Sequence, residues 1–123
     1  MIKINKIMEE EYTMEPEKSK SNGKKLKIIS EFCFRWGFGR VKAKFKNTLI
    51  NYLVEQGYSV IYKIIAMFPS NGEYFVYVED KENNKKIVFS NDEDKHKDSA
   101  IIGSEINEFN VKDVVKKIEE LTN

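Results

Sequence analysis

Cysteine is nearly missing: Cys33 stands alone in 123 residues, so no intramolecular disulfide can form. That excludes a small disulfide-stapled secreted scaffold and favours a reducing compartment. No apolar run approaches the roughly 20 residues a membrane-spanning helix needs. The opening MIKINKIMEEEY turns acidic too early for a secretory leader, and the final LTN is no prenylation signal. A cytoplasmic location is therefore expected. Neither sign of charge is in excess, because 21 Lys and Arg face 20 Asp and Glu, so no global pull toward nucleic acid or a membrane is expected. Histidine is reduced to His96, set in DEDKHKD with no second His and no cysteine nearby, so no metal site is expected. The sequence also lacks a Gly-rich phosphate loop, a Ser/His/Asp order and a paired-carboxylate motif.

What is present reads as one small α/β domain, since a chain of this length supports one modest core. Residues 1–24 are polar and carry Pro16, Gly23 and a Ser/Lys cluster, which predicts a flexible polar tail. The ordered domain is expected over residues 25–123. Leu26, Ile28 and Phe32 alternate with Lys27 and Glu31, which is strand periodicity. From Arg40 the period becomes helical, with Val41, Phe45, Leu49, Tyr52 and Leu53 on one stripe and Gly57 placed to close the helix. Residues 58–67, YSVIYKIIAM, read as a buried central strand. Residues 73–79 and 86–90 flank the polar turn DKENNK and predict a hairpin. A long polar stretch, NDEDKHKDS, follows. Asn110 then reads as the N-cap of a last helix, with Phe109 stapled onto Val114. The predicted order is β-α-β-β-β-α: a four-stranded mixed sheet, made of a right-handed parallel βαβ unit plus an antiparallel hairpin, with two helices.

The segment that carries chemistry is residues 29–39, ISEFCFRWGFG. It sets Cys33 between the first strand and the first helix. A thiol at a helix N-terminus has its pKa lowered, and Arg35 and Arg40 would add to this if turned inward. Phe32-Cys33-Phe34-Arg35-Trp36-Gly37-Phe38 resembles the motif of the selenoprotein W (Rdx) family. There the first strand ends in an aromatic residue, followed by Cys-x-x-Cys or Cys-x-x-selenocysteine, Gly and an aromatic residue. The hairpin with its Val88-Phe89-Ser90 ending and the helix VKDVVKKIEEL are similar to the family's later elements, so the resemblance covers residues 25–121. It implies a thioredoxin-like fold and a redox ancestry.

One departure decides what the resemblance implies about activity. Trp36 stands where the family has its second cysteine or selenocysteine, leaving a degenerate CxxC. Dithiol exchange needs a second group to resolve the mixed disulfide, so dithiol oxidoreductase activity is not expected. Two functions stay open. In one, the domain is a protein-binding module that uses the Cys33–Trp36 loop, with Phe34, Arg35, Trp36, Gly37, Phe38 and Arg40 at the contact. In the other, Cys33 is a monothiol thiolate whose adducts are resolved by an external thiol such as glutathione. Each residue also has a plainer role: Cys33 as a buried structural thiol, Trp36 as a packing residue. The basic run Arg35, Arg40, Lys42, Lys44 and Lys46 reads as a solvated helix face. No resident cofactor is expected, and glutathione is the one small molecule the resemblance admits.

Overall fold

A computed structural model describes residues 5–33 and 38–123. Among the described residues six strands form one mixed sheet: β1 (Asn5–Met14), β2 (Lys25–Phe32), β3 (Ser59–Phe68), β4 (Tyr74–Glu79), β5 (Lys85–Ser90) and β6 (Ile101–Ile102). Their spatial order is β1-β3-β2-β4-β5-β6. Helix α1 runs through three consecutive segments, an α-helical Phe38–Lys44, a π-helical Phe45–Ile50 and an α-helical Asn51–Glu55. A one-turn helix α2 spans Glu93–His96, and α3 spans Val111–Thr122. Among the described residues no helix is long and apolar enough to cross a membrane.

β2 pairs in parallel with β3 and antiparallel with β4, and β4 forms a hairpin with β5. Side chains alternate across a strand, so the even-numbered residues of β2 and β3 face one way. Ile28, Phe32, Val60 and Ile64 on that face are buried with Phe45, Leu49 and Ile50 of α1 and Val114 and Ile118 of α3 in one core. Gly57 ends α1 at φ 95°, and a Cβ there would lie 2.3 Å from the Lys20 carbonyl oxygen. Only glycine satisfies both the left-handed backbone and that close approach.

The general α/β class and the strands and helices expected from residue 25 onward are present, but the sheet has six strands rather than four and there is a third helix. Residues 5–14 are a strand and not a flexible tail. β1 pairs along β3 from Asn5↔Phe68 to Met14↔Val60. Its backbone hydrogen bonds justify its order while most of its side chains stay exposed, which is why its polar composition misleads. The cap of α3 also differs: Asn110 makes no side-chain cap. Asn107 instead shapes the turn leading into the helix, its carboxamide oxygen accepting from the amides of Phe109 and Asn110, and Phe109 is 87% exposed rather than stapled.

α2 lies on the sheet face opposite α1, and chain handedness explains this. β5 and β6 are parallel, so their connection is a crossover that favours the right hand. β6 is displaced from β5 in the direction opposite to that of β3 from β2. A right-handed path therefore needs the other face. The His96 ring meets the Phe75 ring edge-on at 4.9 Å on that face.

Candidate functional site

Cys33 follows the last residue of β2, and its backbone continues the ladder. Its N–H donates to the Glu73 carbonyl at 2.8 Å, and its carbonyl accepts from the Gly72 N–H at 2.8 Å. Strand alternation therefore carries through to Cys33 and sets it with Ile29 and Glu31, on the face away from α1. The backbone ladder thus reaches one residue beyond β2, and the charged groups that act on the cysteine, Glu73, Glu31 and Lys95, lie on the α2 side of the sheet. The described part of α1 begins at Phe38.

The thiol is buried, with 7% exposure. Burial pushes its pKa up from the ordinary value, and the Glu73 and Glu31 carboxylates push the same way against the weaker pull of Lys95. This overturns the expectation of a lowered thiol pKa. Arg40 does not supply the missing cation, because its guanidinium donates to the Glu105 carboxylate at 2.9 Å. The candidate contact residues Phe34, Arg35, Trp36 and Gly37 lie outside the described residues, as does the side chain of Phe38.

The roof over Cys33 was not foreseen. Asn91 clamps the start of β4: its side-chain oxygen accepts from the Tyr74 amide at 2.9 Å and its side-chain nitrogen donates to the Gly72 carbonyl at 2.7 Å. Asp92 caps α2 by accepting from the Lys95 amide at 3.1 Å. Lys95 then donates to Glu73 at 2.9 Å and lies 5.9 Å from the centre of the Phe75 ring. His96 Nδ1 sits 2.9 Å from the buried Ser90 hydroxyl. The sequence signal was there in Asp92-Glu93-Asp94, a cap residue followed by first-turn acids, masked by the polarity of the whole stretch.

Elsewhere the basic run on α1 is largely neutralised. Arg40 and Lys44 both reach Glu105, and Lys42 pairs with Glu10 of β1. Among the described residues no cluster of three or more His, Cys, Asp or Glu side chains could hold a metal ion. No family model, curated protein or solved structure matches the chain.

Proposed function

We propose that this chain is a thioredoxin-like domain of selenoprotein W type that serves as a protein-binding module, with residues 33–40 as its contact loop. The order β3-β2-β4-β5, with its parallel βαβ unit and antiparallel hairpin, supports the fold half of this reading. Cys33 carries the functional half. A nucleophilic thiol needs its thiolate, which cations and helix N-termini favour, whereas this one is buried and its ionisation is further opposed by the charges of Glu73 and Glu31. With no second cysteine to resolve a disulfide, thiol exchange is left without both of its chemical requirements. The loop still joins the sheet to α1 and carries Phe34, Trp36 and Phe38 with two arginines, a composition suited to a binding centre and its polar rim.

A photo-crosslinking residue introduced at Phe34 tests this against Trp36→Ala in the same background. The reading requires that Trp36→Ala lower the yield of a specific crosslinked partner while the melting temperature is nearly unchanged. A fall in melting temperature with crosslinking intact would make Trp36 a packing residue. Reduction of insulin in the presence of dithiothreitol, lost in Cys33→Ser, would overturn the non-enzymatic reading.

A further inference from the structure

We infer that the groove between β1 and α1, which adjoins the contact loop at Gly39, is a binding site for a small aromatic anion. β1 extends the sheet beyond β3, and a groove of about 360 Å³ runs between it and the helix, within the size range of small-molecule sites. Tyr12, Tyr62 and Ile64 line it from the strands, and Gly39, Ala43 and Lys46 from α1. Gly39 and Ala43 are one helical turn apart, and a Cβ built on Gly39 would meet nothing within 4 Å.

Three independent observations say what would fit. The rings of Tyr12 and Tyr62 are stacked, 5.3 Å apart at 29°, and Tyr12, the exposed one of the pair, offers an aromatic surface. Tyr62 is 3% exposed and lines the groove, and its hydroxyl, which takes no hydrogen-bond partner among the described residues, is not sealed from solvent. A ligand oxygen in the groove could take the place of water as its partner. The third observation is charge. Lys42 pairs with Glu10, whereas Lys46 is exposed and makes no ion pair among the described residues. The groove is therefore left with one uncompensated cation at its rim. Lys46 also stands on the π-helical segment, a helix form found often at functional sites. The ligand class follows: a planar ring for the tyrosines, bearing a carboxylate or phosphate for Lys46 and the Tyr62 hydroxyl.

Phenyl phosphate titrated into the full chain, with tyrosine rings isotope-labelled for NMR, tests the assignment. Saturable shifts are expected at Tyr12 and Tyr62. Lys46→Ala should weaken binding about tenfold, and Ala43→Leu should abolish it by filling the groove with circular dichroism unchanged. Inorganic phosphate and benzyl alcohol should each bind far more weakly. Absent or unsaturable shifts would overturn the proposal, and so would binding unaltered by both variants. Equal binding of either fragment would overturn the chemical class. None of these outcomes depends on Trp36, so this site and the contact loop stand or fall separately.

Discussion

On the helix side of the sheet, Phe32, Tyr74 and Phe89 pack edge to face in a chain, at 4.8 Å and 5.5 Å between ring centres. On the other side Ile29, Ile65 and Phe75 are nearly as well hidden, at 5%, 8% and 7% exposure, yet no long helix covers them. Their cover is made of charged side chains: Lys63 with Glu9, Lys27 with Glu79, Lys85 with Glu31 and Lys95 with Glu73. Long lysine stems hide apolar surface while their ammonium groups remain in water. The comparison teaches that one residue step along β2 changes the chemistry of a side chain. Phe32 enters a dense apolar core; Cys33, next to it, meets carboxylates beneath a polar roof.

The largest effect should come from the packed side. Phe32→Ala removes a fully buried ring, and a loss of about 3–5 kcal/mol is expected in urea unfolding. Alkali should act next, through both sides. Burial holds the pKa of Tyr58 at about 12, with the Glu119 carboxylate adding to it, and that of Tyr77 at about 12, with Glu31 and Glu73 adding. Their folded pKa values are raised above the ordinary 10.0. The stability they contribute is complete below that value and lost as pH rises through the folded one. Unfolding between pH 10 and about 12, followed by tyrosinate absorbance, checks this; an unchanged midpoint across that window would contradict it.

A smaller loss is expected for Cys33→Ser. The new hydroxyl would need a partner at a buried position, and about 1–3 kcal/mol is the usual cost of leaving it without one. The smallest belongs to the charged cover. Lys27 and Glu79 are 3.4 Å apart and partly exposed, so Glu79→Gln should cost under about 1 kcal/mol. A loss comparable to that of Phe32→Ala would mean that the two faces are not held by different means.

Much of the sheet could be read from the sequence, because β2 to β5 advertise themselves by alternation and β-branched content. β1 could not, since an edge strand needs backbone partners more than apolar side chains, and Glu9, Glu10 and Glu11 sit in its middle. α2 was hidden for a related reason: its position depends on crossover handedness and on Asn91, neither of which shows in local composition. Cys33 was singled out by its motif, but the face its side chain takes was not read. β2 ends at Phe32, next to the cysteine, as the motif suggested, and the bonds to Gly72 and Glu73 carry the ladder one residue further. That one step sets the thiol on the face opposite Phe32.

The reactivity of Cys33 is the point on which this account turns, and the rate of its alkylation by iodoacetamide as a function of pH measures it directly. The account predicts slow reaction in the folded chain near neutrality and an inflection above the ordinary thiol value of 9.0, with a marked acceleration in denaturant. Rapid alkylation of the folded protein, with an inflection near or below pH 7, would contradict it and return Cys33 to the role of a catalytic thiolate.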